Sequence, residues 1–260
     1  MAKLSYTTNG QKKNTPIIFI HGGGTDKRVW DKIVPAFSSN YFTITYDLRG
    51  HGQSPNPTKP ANHVADLYAL FTHLNMDRAI VVGHSLGGQI ATDFAILHPC
   101  CVEKLILIAP GLTGFVYDDA FQEMNKKMWG AVPDVDAMLD IMMHSPKSYA
   151  MTEALKSDRK NDVKTIHQDN IVKSLQWENF KQVWEVDATS RLTEIRSEIL
   201  FIYGSRDKSD ILKIKRLFEA NEQLTVECIP QADHGLLFTQ PKMIEKIILL
   251  WLKSKMSGSS

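Results

Sequence analysis

Three short segments of the chain carry side chains that could together perform nucleophilic catalysis. One reads Gly-His-Ser-Leu-Gly around Ser85, the second reads Gly-Ser-Arg-Asp and ends at Asp207, and the third is Asp-His-Gly around His234. A serine hydroxyl is a weak nucleophile at neutral pH, so it needs a general base that a third group holds in place. We therefore expect Ser85 to attack a substrate, His234 to transfer the proton, and Asp207 to orient the imidazole.

Apolar runs in the sequence predict the strands that must position these side chains. Six β-branched or aromatic runs end at glycine or other turn residues, at 17–20, 42–46, 79–82, 105–108, 199–203 and 224–229. Continuous apolar runs are typical of strands buried on both faces of a parallel sheet, and the helical patterns between the first four indicate βαβ units. Ser85, Asp207 and His234 each follow one of these runs. They should therefore meet at the carboxyl edge of the sheet, where open α/β sheets bind ligands.

The alternation of strands and helices is interrupted in the second half of the chain. Residues 113–196 lack a clear buried strand and are rich in helix formers, with breaks at Pro133 and Pro146. We expect an α/β core built from residues 1–112 and 197–260, with residues 113–196 inserted as a helical lid.

A glycine run and a set of lid residues are expected to complete the site. His21 is followed by three glycines directly after the first apolar run, and this loop can supply a backbone N–H to an oxyanion hole together with the N–H of Leu86. A phosphate loop is the alternative, but the run lacks the Gly-Lys-Ser/Thr ending and does not fit G-x-G-x-x-G. A largely apolar pocket is expected, unless the lid side chains pack only against each other. Its predicted lining is Gly22, Met124, Met128, Trp129, Met142 and Trp184.

Composition narrows the classes of partner. The chain has 30 Lys and Arg against 29 Asp and Glu, whereas nucleic-acid-binding proteins usually carry a basic excess. Its three cysteines lack C-x-x-C spacing, and its histidines lack an H-E-x-x-H pattern. No apolar run approaches the ~20 residues of a membrane span, and no signal peptide is visible. We expect a cytoplasmic protein, monomeric or homodimeric, that acts on a small molecule without a metal, cofactor, nucleic acid or membrane.

The order and strand context of these motifs resemble the α/β-hydrolase superfamily over nearly the whole chain. A further matching piece is Asp-Leu-Arg-Gly-His-Gly, which begins at Asp47. The resemblance implies a mostly parallel eight-stranded sheet with helices on both faces, a helical lid after the sixth strand, and hydrolysis of an ester-like bond through an acyl-enzyme. Within the superfamily the chain is similar to the small single-chain esterases, enol-lactonases and cofactor-free haloperoxidases. The family pattern maps the oxyanion donors onto Gly23 and Leu86. Serine at position 85 argues against the epoxide hydrolases and haloalkane dehalogenases, which carry aspartate there.

Departures from the family pattern leave some roles open. The family often has a proline a few residues after the acid. Here Asp210 follows Asp207 instead and is a rival acid, and Asp118 or Asp119 could serve if the acid lies after the sixth strand. Asp233 occupies a position where the family usually has glycine. Beside the imidazole it could raise the pKa of His234, but we expect it to point to solvent.

The leading functional hypothesis is a serine hydrolase that cleaves a carboxylic ester or a lactone. A carbon–carbon bond hydrolase acting on ring-fission diketones would use the same three side chains. A ligand sensor with a slow triad and a moving lid is an alternative of another class. The sequence does not identify the substrate or the oligomeric state, because substrate choice depends on lid geometry that periodicity does not determine.

Overall fold

A computed structural model describes residues 3–144 and 151–256 of the 260-residue chain. These residues form one seven-stranded sheet in the spatial order β1-β3-β2-β4-β5-β6-β7. β1 is antiparallel to β3, and every other neighbouring pair is parallel. The strands are β1 (Tyr6–Asn9), β2 (Pro16–Ile20), β3 (Phe42–Tyr46), β4 (Ala79–His84), β5 (Val102–Ile108), β6 (Glu198–Gly204) and β7 (Leu224–Ile229). The six apolar runs of the sequence correspond to β2 through β7.

The sheet has one strand fewer, in the described part of the chain, than the eight that the family resemblance implied. The six residues between β1 and β2 make a turn and are too few to add a strand. Gly10 in that turn has a φ of +83°, and a Cβ atom there would lie 2.2 Å from the carbonyl oxygen of Tyr41. Because the sheet has one strand fewer than expected, the inserted helices follow the fifth strand and not the sixth.

An α-helix follows each of the strands β3 to β7, whereas two 3-10 helices, Lys27–Trp30 and Val34–Ala36, lie between β2 and β3. Residues 17–20 of β2 are all fully buried, and successive side chains of a strand point to opposite faces, so both faces of the sheet are covered at its centre. The helices are α1 (His63–Leu74), α2 (Leu86–Leu97), α3 (Asp119–Gly130), α4 (Val135–His144), α5 (Thr152–Lys156), α6 (Lys160–Ser174), α7 (Ser209–Phe218), α8 (Leu236–Thr239) and α9 (Pro241–Met256). Within residues 3–144 and 151–256, none is long and apolar enough to cross a membrane.

The helices α3 to α6 lie between β5 and β6, within residues 113–196, which we call the insertion. Met128, Met138 and Ile171 form a small apolar cluster that joins α3, α4 and α6. Other insertion side chains, among them Ala154 and Val163, belong to the main core. The insertion therefore has a core of its own and is also packed onto the sheet domain.

Candidate active site

Ser85 lies on the sharp turn between β4 and α2. Its backbone has φ +52° and ψ −117°, a conformation that side chains rarely adopt and that tight packing must hold in place. A Cβ atom on Gly83 would lie 2.2 Å from the carbonyl oxygen of Gly87, and one on Gly87 would lie 2.2 Å from that of Ile20. Gly83 is therefore required because the turn folds back onto its own backbone, and Gly87 because the turn is pressed against β2. This packing presents the hydroxyl of Ser85 at the carboxyl edge of the sheet.

A chain of hydrogen bonds connects the three side chains selected from the sequence. Ser85 Oγ lies 3.0 Å from His234 Nε2, and His234 Nδ1 lies 3.2 Å from Asp207 Oδ1. A carboxylate only accepts hydrogen bonds, so Nδ1 carries the proton and Nε2 is free to accept the proton of Ser85. The side chain of Asp207 is 0% exposed and that of His234 is 5% exposed. The geometry and the exclusion of water match those of a serine nucleophile with its base and orienting acid.

In the part of the chain that the structure describes, none of the rival acids has His234 as its hydrogen-bond partner. Asp210 lies in the first turn of α7, where its carboxylate accepts the backbone N–H of Asp118 and pairs with Lys213, both at 3.0 Å. Asp118 itself caps α3 by accepting the N–H of Phe121. Asp119 is exposed. Of the four carboxylates considered, the structure brings Asp207 to His234.

The glycine loop after β2 passes over the first turn of α2. A Cβ atom on Gly22 would lie 3.2 Å from Ser85 Cβ, and one on Gly23 would lie 3.6 Å from Leu86 Cδ2. Leu86 is the first residue of α2, so its N–H has no acceptor within the helix. The N–H groups of Gly23 and Leu86 therefore belong to backbone segments that lie together beside Ser85, as an oxyanion hole would require.

The side chain of His21 holds this loop in place through hydrogen bonds. Its Nδ1 donates to the carbonyl of Gly22 at 2.8 Å, and its Nε2 accepts the N–H of Leu48 at 2.9 Å. The hydroxyl of Thr25 donates to the same Gly22 carbonyl. Burial lowers the pKa of His21, which keeps the ring neutral and able to accept at Nε2.

His84 and His51 form hydrogen bonds that hold turns around the site. His84 Nε2 donates to the carbonyl of His234 at 3.2 Å, and His51 Nδ1 donates to the carbonyl of Arg49 at 3.1 Å. Burial lowers the pKa of each imidazole well below its usual value. The guanidinium of Arg49 is bound to Asp66 at 2.6 and 2.8 Å, so its role here is structural.

The expectation that Asp233 points to solvent is wrong. Asp233 is 5% exposed, and its two carboxylate oxygens accept the backbone N–H groups of Glu153 and Gly235 at 2.8 and 2.9 Å. Burial raises its pKa. The side chain turns inward because two backbone donors, one of them from the insertion, are available there.

A cavity of about 790 Å³ opens beside Ser85 and His234. Five of the six predicted pocket residues line it, namely Gly22, Met124, Met128, Trp129 and Met142. Trp184 does not, because its ring packs against that of His63 with centroids 6.4 Å apart. Further apolar side chains on the cavity wall are Tyr117, Phe121, Met138, Met151, Ile171, Trp177 and Phe180.

Sequence reasoning missed a polar part of the cavity wall. His167, Asn170 and Ser174 of α6 line the cavity together with Ile171, and Gln89 of α2 also lines it. The α6 residues have the spacing i, i+3, i+4 and i+7 of one helix face, and this spacing could have identified them from the sequence as a group that lines the cavity. Within the described ranges, no cluster of three or more His, Cys, Asp or Glu side chains is arranged to hold a metal ion.

A serine at a strand–helix turn, with a histidine and an aspartate on later loops of a mostly parallel sheet, is an arrangement typical of α/β hydrolases. Residues 15–241 match the family described as having the alpha/beta hydrolase fold, and the chain belongs to that family. The α/β-hydrolase fold inferred from the sequence is thereby confirmed.

Relatives of the chain include proteins named as esterases, lipases and an enol-lactonase, and also one named as an epoxide hydrolase. The chain is 39% identical over 131 residues to a provisionally named esterase/lipase of Haemophilus influenzae, a match that covers 46% of each chain. The chain thus spans less than half the length of the first curated relatives it matches. An enol-lactonase structure from Burkholderia xenovorans has a TM-score of 0.78 at 20% identity, over 96% of each chain. A carboxylesterase structure from Nitrososphaera gargenis has a TM-score of 0.77 at 21% identity, over 98% of this chain and 96% of that one. At such identities the two structures show a shared fold.

Proposed function

We propose that this protein hydrolyses a carboxylic ester or a lactone through an acyl-enzyme formed on Ser85. The observation that carries the proposal is the hydrogen-bond chain from Ser85 Oγ through His234 to the buried carboxylate of Asp207. Esterase, lipase and enol-lactonase relatives add support at the level of the family.

The proposed reaction has two halves. Ser85 Oγ attacks the carbonyl carbon while His234 Nε2 takes up the hydroxyl proton, and the oxygen that becomes negative is held by the N–H groups of Gly23 and Leu86. When the carbon–oxygen bond breaks, His234 returns the proton to the leaving alkoxide. Water then attacks the acyl-enzyme with His234 as base, which releases the acid and restores Ser85. Asp207 stabilises the imidazolium in both halves.

We further propose that the insertion acts as the lid of this site. Helices α3, α4 and α6 provide most of the apolar cavity wall, including Met124, Met142 and Ile171. Methionine adapts its shape to irregular ligands, and an apolar wall favours an acyl or ring part that is itself apolar.

Hydrolysis of p-nitrophenyl acetate and butyrate tests the proposal. Ser85→Ala and His234→Ala are each expected to lower kcat by at least ~10⁴-fold, and the double variant should lose little more, because the members of a triad act as a unit. Ser39→Ala is the control, since Ser39 is exposed and outside the cavity wall. Turnover that survives in Ser85→Ala, or losses that add independently, would contradict the proposal.

A further inference from the structure

Three histidines line the cavity in addition to His234, the proposed base. They are His51, His84 and His167, and we call them the acceptor face. His51 and His167 are 4% and 1% exposed. His51 lies in the loop after β3, and His167 lies in the helix α6. His167 reaches the glycine loop, where a Cβ atom on Gly24 would lie 3.7 Å from its Cδ2.

Backbone carbonyls determine which ring nitrogen of each histidine carries the proton. His167 Nδ1 lies 2.7 Å from the carbonyl oxygen of Val163, and His51 Nδ1 lies 3.1 Å from that of Arg49. A carbonyl oxygen can only accept, so Nδ1 is the donor in both rings. Nε2 of His51 and Nε2 of His167 are therefore hydrogen-bond acceptors, and neither has a partner among the described residues.

The third histidine has the opposite tautomer and an orphaned acceptor. His84 Nε2 donates to the carbonyl of His234, which leaves Nδ1 with its lone pair. That atom is buried without a hydrogen-bond partner in the described structure, and it faces Gly22, whose Cβ atom, if present, would lie 3.1 Å away. Gly22 covers this atom, so Nδ1 of His84 is an uncharged nitrogen behind the cavity surface and not a contact for a ligand.

The acceptor face is uncharged at neutral pH. Burial lowers the pKa of His167 to about 4 and holds the pKa of His51 and of His84 well below the usual value. No described side chain on the cavity wall is Asp, Glu, Lys or Arg. A carboxylate in this cavity would lose its hydration and meet nitrogen lone pairs instead of a cation, whereas a hydroxyl or N–H would find acceptors.

We propose that the substrate is an uncharged ester or lactone that carries a hydroxyl or N–H donor, and that Nε2 of His167 accepts from this donor, with Nε2 of His51 as a second acceptor on the cavity wall. The inference rests on the proposed ester or lactone hydrolysis at Ser85 and adds the substrate class. The methionine-rich wall binds the apolar part of such a molecule, and the acceptor face binds its polar end.

Two matched series of substrates test the inference at pH 7.5. The acyl series is p-nitrophenyl hexanoate, 6-hydroxyhexanoate and hydrogen adipate, and the alcohol series is butyrate esters of butanol, butane-1,4-diol and 4-hydroxybutanoate. In at least one series we expect kcat/KM of the hydroxyl substrate to exceed that of the plain one by ~10-fold, and in both series the carboxylate should be poorest, by ~100-fold or more. A carboxylate substrate that equals or exceeds its plain analogue would overturn the inference, as would hydroxyl substrates no better than plain ones in both series. If the wild-type protein hydrolyses none of the six and does not hydrolyse δ-valerolactone or ε-caprolactone either, the proposed function itself is wrong.

A pair of variants tests whether His167 is responsible for the preference for hydroxyl substrates. His167→Phe should reduce the ratio of kcat/KM between hydroxyl and plain substrates to about 1, and the ratio is read within one variant, so a general loss of activity does not affect it. His63→Phe is the matched control, because His63 is also buried, with its pKa lowered to about 4, but lies outside the cavity wall. Its ratio should equal that of the wild type. If His167→Phe does not fold, the substrate series still decides, and an unchanged ratio in folded His167→Phe would overturn the role of His167.

Discussion

The carboxylate of Asp233 accepts the backbone N–H of Glu153 at 2.8 Å. Asp233 directly precedes His234, and Glu153 lies in α5 of the insertion, so this bond joins the loop of the proposed base to the proposed lid. The side chain of Glu153 also pairs with Arg206 at 3.1 Å, one residue before Asp207. The insertion is thus attached to both loops that supply the partners of Ser85.

Asp233→Asn should weaken this attachment. An amide offers one acceptor oxygen where the carboxylate offers two, so either the N–H of Glu153 or that of Gly235 loses its partner. Leaving a buried donor unsatisfied costs about 1–3 kcal/mol, and we expect the free energy of unfolding to fall by that amount while KM for p-nitrophenyl butyrate rises. Urea unfolding and steady-state kinetics measure the two effects. Asp169→Asn, at an exposed pair with Arg28, should change stability by less than ~0.5 kcal/mol. Equal behaviour of the two variants would contradict the prediction.

Two aspartates that are close in sequence should differ in their effect on turnover. Asp207→Asn is expected to lower kcat by ~10²–10⁴-fold, because His234 would lose the acceptor that fixes its tautomer. Asp210→Asn should leave kcat within a few-fold of wild type and lower stability, since Asp210 binds Asp118 and Lys213. Kinetics and thermal unfolding of both variants make the comparison. A larger loss of kcat in Asp210→Asn would transfer the role of acid to that residue.

Much of this architecture could be predicted from local patterns in the sequence. β2, β4 and β6 are nearly continuous apolar runs because the centre of the sheet is covered on both faces, whereas the edge strand β7 is partly exposed. Ser85 could be placed because its tight turn needs glycine at two positions. The inward turn of Asp233 and the position of Trp184 could not be predicted, because each depends on how the insertion packs against the sheet. The acceptor face was missed because its members come from separate elements, although the spacing within α6 was visible.

Glycine at position 87 should be indispensable. A Cβ atom there would lie 2.2 Å from the carbonyl oxygen of Ile20, which is backbone and cannot move aside as a side chain would. We expect Gly87→Ala to destabilise the fold by about 1–3 kcal/mol or more and to abolish hydrolysis. Gly130→Ala is the control, because nothing lies within 4 Å of its Cβ position at the end of α3, and alanine there should be neutral or stabilising by up to about 1 kcal/mol. Urea unfolding of both variants gives the comparison, and a stable, active Gly87→Ala would show that the turn is not constrained by β2.

Asp93 should make stability depend on pH. This residue of α2 is 0% exposed; its Oδ2 accepts the hydroxyl of Thr113 at 2.7 Å, and its Oδ1 has no partner among the described residues. Burial raises its pKa from 3.8 to about 7. Between these values the folded protein keeps a proton that the unfolded chain releases. The contribution of Asp93 to stability is therefore fully present below the lower value and is lost as the pH rises toward the higher one, by about 1.4 kcal/mol per pH unit.

Asp93→Asn removes this titration while keeping an oxygen that can accept from Thr113. The variant should be close to wild type in stability at pH 4 and more stable than wild type at pH 8, by up to roughly 4 kcal/mol if the whole shift of the pKa is expressed. Urea unfolding of both proteins at pH 4, 5, 6, 7 and 8 measures the difference, from which the other titrating groups cancel. A difference that stays constant with pH, or that shrinks as the pH rises, would show that Asp93 ionises normally in the folded protein. Because Thr113 also accepts from the side-chain amide of Gln89 on the cavity wall, two hydrogen bonds connect the titrating carboxyl of Asp93 to the lining of the proposed substrate site.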